Sequence, residues 1–243
     1  MELCVDIHCR IGEGRIEETR PVDAALREMD DAGVDKAWIC PTDAYVAVRN
    51  REGNDFIANV LSEHPDRFVG CAVSNPWYGD DALTELKCAL DKGLRVLFLC
   101  PPLQGFQLSD PLVDPLVELA VGYSAPIYAH TGTPICAMPF QFAALAERHP
   151  KGRFIMGHSG FSDFWYDVPH IGQLVENIWF DTSPNGPDSI LQVISAAGES
   201  RVLFSSSAPS SDLSVELDKI KKLPVSDEVK KKILGVNAEA LLS

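Results

Sequence analysis

The stretch Pro126-Ile127-Tyr128-Ala129-His130-Thr131-Gly132 is a short apolar run that ends on a polar residue and then a turn residue. A run of this length between turn signals reads as a strand buried on both faces. Residues 139–149 follow, opening on Pro139 and carrying apolar side chains at helical spacing, with Pro150 beyond the end. Residues 153–158 are apolar again and end on His158. Strand, helix and strand in this order make one βαβ unit, the building block of a parallel sheet.

Outward from this unit the pattern repeats along the whole chain. Strands are predicted at 3–9, 36–40, 68–74, 95–100, 126–130, 153–158, 178–182 and 202–206. Helices are predicted between them at 21–32, 54–64, 80–92, 111–123 and 139–149, with proline in the first turn of several and Gly33 and Gly93 as stops. A last helix is expected over 226–242, with Ser226 as N-cap and Asp227 and Glu228 in its first turn, closing over the barrel exterior. The 243 residues match the roughly 250 typical of one eight-fold barrel and leave little for a second domain. The fold expected is a single (β/α)8 TIM barrel spanning 1–243 with an additional C-terminal helix. An open doubly wound sheet is the alternative, but no G-x-G-x-x-G follows the first strand.

Composition narrows the partners. A formal net charge of −14 opposes phosphate backbones and anionic lipid heads, so neither nucleic acid nor a membrane surface is expected. The start Met1-Glu2-Leu3-Cys4-Val5-Asp6 enters a strand pattern without the basic and apolar regions of a signal peptide. Seven scattered cysteines lack CxxC spacing and the density of a disulfide scaffold, which predicts reduced thiols and a cytoplasmic location. The expected partner is a small molecule, and homo-oligomerisation stays open.

Catalytic groups of such barrels gather at the C-terminal ends of the strands. Those positions hold His8 and Arg10, Thr42, Asn75, Cys100, His130, His158, Asp181 to Ser183 and Ser205 to Ser207. A lone histidine is as readily a satisfied core residue as a functional one, but three at equivalent strand ends carry more weight. The other three have simpler accounts: His64 and His149 each end a helix before a proline, and His170 falls in an exposed stretch after strand 6. Regular alternation would send Asp6, His8 and Arg10 to one side, with Arg10 or His8 as the partner a buried Asp6 requires. The same alternation turns Cys9 toward the helices, which leaves Cys100 and Cys136 as the candidates for a cysteine nucleophile.

The segments Val5-Asp6-Ile7-His8-Cys9-Arg10, Ala125 to Gly132, Phe154-Ile155-Met156-Gly157-His158-Ser159-Gly160 and Arg201 to Pro209 together resemble the landmarks of amidohydrolase family 2. The closing Lys232-Ile233-Leu234-Gly235-Val236-Asn237-Ala238 resembles the family's K-I-L-x-x-N-A element. The resemblance runs nearly end to end. It implies hydrolysis, decarboxylation or hydration of a small carboxylated or carbonyl-bearing molecule, with His158 as general acid/base. It also implies one divalent metal, such as zinc, held by D-x-H-x-H, the strand 5 histidine and an aspartate in G-S-D-x-P. Here the second histidine is Arg10 and the aspartate is Ser207, so His8 and His130 remain as ligands, with His158 as an alternative third. A guanidinium cannot give up its proton near neutral pH and cannot become a substitute ligand, so the metal site is expected to be weakened.

Arg10 suits another role, because its planar fork binds a carboxylate bidentately and stabilises developing negative charge. The aromatic stretch Phe161-Ser162-Asp163-Phe164-Trp165-Tyr166 offers Phe161 and Trp165 as a wall for a flat substrate, or as simple cover for the barrel top. Two functions follow: an amidohydrolase-like hydrolase or decarboxylase with Arg10 as anion anchor, or a catalytically silent barrel that binds a small acid or a protein partner.

Overall fold

Eight parallel strands pair in strict sequence order: β1 (Val5–Ile11), β2 (Lys36–Pro41), β3 (Phe68–Val73), β4 (Val96–Leu99), β5 (Ile127–His130), β6 (Phe154–Gly157), β7 (Ile178–Asp181) and β8 (Val202–Leu203). This computed structural model describes residues 3–16 and 18–243, so the first two residues of the expected strand-like start lie outside it. Sequential order with every neighbouring pair parallel is the (β/α)8 barrel, and the open doubly wound sheet is excluded.

Two apolar layers hold the barrel. Inside lie Val5, Ile7, Trp38, Cys40, Cys71, Val73, Val96, Phe98, Tyr128, Ile155 and Leu203. Outside, alternate strand residues such as Ile39, Leu97, Ala129, Met156 and Phe180 pack against the helices. Those helices form where the sequence places them. Val22–Ala32 buries Ala25 and Met29 and stops at Gly33, whose φ of 75° lets its N–H reach the carbonyls of Met29 and Asp30.

The C-terminal helix departs from expectation. Ser226 caps it through Val229 N–H as predicted, but Ala238 and Leu241 join the inner cluster beside Val5 and Val96, at the starts of their strands. The helix therefore plugs the bottom of the barrel, since its small and apolar residues find a better partner in the open strand ends than on the outer helices. The Asn237 amide fixes it by donating to the carbonyls of Glu199 and Val202.

β8 is shorter than predicted, and the seam to β1 is closed by a different device. Ile7 N–H donates to Phe204 O at 3.0 Å, Ser207 N–H to His8 O at 2.9 Å and Arg10 N–H to Ala208 O at 2.8 Å. Asp6 locks this seam: it accepts from Ser206 Oγ at 2.5 Å, Ser206 N–H at 2.8 Å and His8 N–H at 3.2 Å. The expectation that Asp6, His8 and Arg10 share one side is corrected here. The register of β1 against β2 slips between Asp6 and Cys9, so Ile7 and His8 both face inward. Such a bulge inverts the alternation that follows it. Asp6 therefore sits on the opposite face, and its side-chain partner is Ser206 in place of Arg10 or the His8 imidazole. Cys9 belongs to the outer layer, as expected.

Burial raises the Asp6 carboxyl from 3.8 to about 6, against the Ser206 and His8 hydrogen bonds that lower it. The fold thus favours the protonated acid; that contribution is complete below pH 3.8 and is lost as pH rises through about 6. Asp6→Asn keeps an oxygen for both N–H groups and cannot ionise. Relative to wild type it should gain on the order of 3 kcal/mol between about pH 3.5 and pH 7, measured by urea denaturation across that range. A difference between the two proteins that is flat with pH would contradict a buried, ionising Asp6.

Candidate functional site

Because β1 bulges before His8, this imidazole enters the barrel mouth and stacks on Tyr128 and Phe98, with ring centroids 4.5 and 5.3 Å away. His130 and His158, at the ends of β5 and β6, converge on it: His158 lies 5.6 Å from His8 and 4.8 Å from His130, centroid to centroid. The three predicted histidines share one mouth. Arg10, two residues above His8, brings its guanidinium 5.6 Å from the Phe98 ring. Arg10 and His158 are each only 7% exposed, and His8 1%.

Burial, seconded by Arg10, pulls the imidazoles down, His8 and His130 well below the usual range and His158 to about 4; for His130 the coulombic effect of His158 precedes that of Arg10. At neutral pH all three are neutral beside one fixed positive charge. His8 Nδ1 stands 3.5 Å from Cys40 Sγ, and His130 Nε2 stands 2.9 Å from Thr133 Oγ1. The other nitrogens, His8 Nε2 and His130 Nδ1, are buried without a hydrogen-bond partner. Among the described residues no three His, Cys, Asp or Glu side chains gather closely enough to hold a metal ion.

The remaining strand ends divide into two kinds. Thr42 donates to Glu13 O and Asn75 to Ala47 O, so both hold loops. Asp181 and Ser183, by contrast, reach the histidines: Tyr128 O–H donates to Asp181 Oδ2 at 2.6 Å, the His158 N–H donates to the same oxygen at 3.1 Å, and Ser183 O lies 3.3 Å from His158 Nδ1. Sequence reading placed Asp181 and Ser183 at the rim without a role and passed over Tyr128. The available signal was alternation, since Tyr128 lies two residues before His130 on the same face of β5. Cys100 and Cys136 do not look like nucleophiles, because burial raises both thiols, the reverse of activation.

Phe161 is on the rim and 44% exposed, whereas Trp165 lines a small cavity with Phe180, Asp181, Ile190 and Val193, behind β7. A larger cleft of about 510 Å³ lies beside the helix Val22–Ala32, lined by Arg20, Glu28, Asp31 and Asp212 with no imidazole. His149 bonds Asp114 at 3.0 Å, and His170 is exposed.

The loop after β5 is fixed against the loop after β6. Thr131 Oγ1 accepts from Gly160 N–H at 3.0 Å, and Gly132, at φ 98°, passes so close to Phe161 that a Cβ would stand 1.6 Å from its carbonyl oxygen. Gly132→Ala should therefore displace the Phe161 loop and lower stability by about 2–5 kcal/mol, checked by thermal melting. An unchanged melting temperature would show that the two loops part freely.

The imidazoles and a cation gather at the C-terminal mouth of an α/β barrel, the end at which this fold usually carries its functional groups. A profile of the amidohydrolase family matches residues 5–243, and the chain belongs to that family. It is similar to a 2-amino-3-carboxymuconate-6-semialdehyde decarboxylase of Dictyostelium discoideum, 28% identical over 128 residues, a match covering 52% of this chain and 35% of the relative. The matched stretch thus spans about a third of that relative's length. Among solved structures it resembles a dihydroxybenzoic acid decarboxylase from a Polaromonas species, with bound manganese and 2-nitroresorcinol, at TM-score 0.80 and 18% identity over 100% of this chain and 97% of that one. It also resembles a 5-carboxyvanillate decarboxylase from Sphingomonas paucimobilis, at TM-score 0.78 and 15% identity over 100% and 99%. At these identities the likeness is one of fold. Among the described residues no helix is long and apolar enough to cross a membrane.

Proposed function

We propose that this chain is a hydrolase or decarboxylase acting on a small carboxylated or carbonyl-containing molecule at the C-terminal mouth of the barrel. Arg10 anchors the anion and His158 transfers the proton. The observation that carries this reading is the burial of a guanidinium beside three imidazoles that are neutral at working pH. A cation in such a site attracts a carboxylate, and neutral imidazoles accept or pass on protons without competing for it. In a decarboxylation the bond between carbon and carboxylate breaks, carbon dioxide leaves, and the carbon that keeps the electron pair takes a proton that neutral His158 has first accepted from water; in a hydrolysis water gives a proton to His158 as its oxygen bonds the carbonyl carbon, and His158 passes that proton to the leaving group as its bond to that carbon breaks. His158 is placed to serve either. Phe161 at the rim supplies an apolar edge for the substrate.

Manganese in a structural neighbour and the two unpartnered nitrogens, His8 Nε2 and His130 Nδ1, raise the question of a metal. The donor set here, two imidazoles with His158 as the further candidate, a guanidinium at position 10 and a serine at 207, does not fit a resident divalent ion of zinc's kind. No step of the proposed chemistry runs through one. Restoring the family pattern by Arg10→His with Ser207→Asp should raise bound zinc from near zero toward one equivalent per chain, read by elemental analysis of protein purified without added metal. Stoichiometric metal in the wild type would overturn the degenerate site.

Calorimetric titration with aromatic and aliphatic carboxylates, paired with turnover assays, tests the anchor. Arg10→Lys keeps the charge and loses the fork, and should weaken binding by about 1–3 kcal/mol. Arg10→Ala should weaken it further, while His158→Ala should bind normally and lose turnover. Equal affinity of wild type and Arg10→Ala would remove Arg10 from the site. Normal binding with no turnover of any acid by the wild type would instead identify a silent binding barrel.

A further inference from the structure

His158 stands in an unusual backbone. Its φ is 62°, that of Ser159 is 39° and that of Gly160 is 72°, so three consecutive residues adopt the left-handed conformation. For two of them a side chain makes this unfavourable, and such a turn persists only where its surroundings hold it. Asp181 at the end of β7 does so. Its Oδ2 accepts from His158 N–H at 3.1 Å and from Tyr128 O–H at 2.6 Å; its Oδ1 accepts from Ser183 N–H at 2.6 Å and Ser183 O–H at 2.8 Å. Its main-chain oxygen takes the Ser159 hydroxyl at 2.6 Å, and the Asn185 amide donates to His158 O at 2.7 Å. Four donors aimed at two oxygens require a group that only accepts, which a carboxylate is and an amide is not.

The same network settles which nitrogen of His158 carries hydrogen. Nδ1 faces the Ser183 carbonyl at 3.3 Å, and a carbonyl can only accept. Nδ1 also faces Ser183 Oγ at 3.5 Å, whose single proton is already given to Asp181 Oδ1. Both neighbours of Nδ1 are acceptors, so Nδ1 holds the hydrogen and Nε2 keeps its lone pair. Asp181 commands this arrangement through two arms, one on the His158 amide and one on the Ser183 amide and hydroxyl.

We propose that Asp181 is a positioning residue that holds the His158 turn and the Ser183 carbonyl so that His158 is fixed as its Nδ1–H tautomer, leaving Nε2 to exchange protons with the substrate. The inference rests on the reading of His158 as the proton-transfer group, but the tautomer itself does not require turnover. An imidazole held in the wrong tautomer presents hydrogen where a lone pair is needed, and its catalysis falls accordingly.

The test is nitrogen NMR of the full chain labelled at histidine, near neutral pH. In the wild type His158 should show a protonated Nδ1 and a bare Nε2; a protonated Nε2 as the major form overturns the proposal. Asp181→Asn, which turns an amide NH2 toward groups that already donate, should bring the Nε2–H form to a comparable population. It should lower kcat by about 10²-fold or more with KM within about threefold, and leave carboxylate binding by calorimetry unchanged. A folded Asp181→Asn that retains the wild-type tautomer overturns the role of Asp181. If that variant does not fold, Ser183→Ala removes one bond of the same arm and should still raise the Nε2–H fraction detectably, and no change there counts against the proposal equally. If no acid is turned over but the tautomers behave as stated, the positioning stands and the enzymatic reading falls.

Discussion

The bond between the Asp6 carboxylate and Ser206 is the constraint on which the rest of the molecule depends. A barrel must join its last strand to its first, and here the last strand offers only two residues of regular ladder, Val202–Leu203. The seam is completed by backbone contacts of β1 with Phe204, Ser207 and Ala208, and Asp6 holds these in register by grasping both the amide and the hydroxyl of Ser206. The bulge that directly follows Asp6 turns His8 into the mouth and places Arg10 above it. Closing the barrel and building the site are thus one event in the chain. A buried carboxylate is an expensive way to do this, and Asp6 is tolerated because three donors surround it.

The mouth keeps its charges apart. Arg10 is a buried cation with aromatic and thiol neighbours, and Asp181 is a buried carboxylate saturated by hydroxyl and amide donors. Between them lie Tyr128 and the imidazoles, which burial keeps uncharged. Tyr128 serves both sides, giving its ring to His8 and its hydroxyl to Asp181.

Much of this was legible in the sequence. The eight strand ends, the sequential barrel and the convergence of His8, His130 and His158 follow from periodicity and from where barrels keep their polar residues. The bulge in β1 was not legible, because regular alternation is the default and nothing in Val5-Asp6-Ile7-His8 marks a slipped register. Without it, Asp6 seemed to belong beneath His8. The place of the C-terminal helix was lost for a related reason: its apolar spacing tells which face is buried but not against what, and the barrel bottom and barrel exterior are equally apolar. The network around Asp181 combines residues from β5, β6 and β7 that periodicity treats as independent, so only the assembled fold reveals that one carboxylate serves three of them.

Position 206 and position 207 differ by one residue, yet they belong to different worlds. Ser206 is committed to Asp6 and to the integrity of the barrel, while position 207, where the family resemblance expects an acidic ligand, carries a serine whose side chain has no part in the Asp6 lock. A lineage can therefore exchange the chemistry at 207, and at Arg10, without loosening the lock that Asp6 and Ser206 form. Scaffolds partitioned this finely are evolvable: new reactivity can be sampled at the rim while the inherited architecture absorbs none of the change.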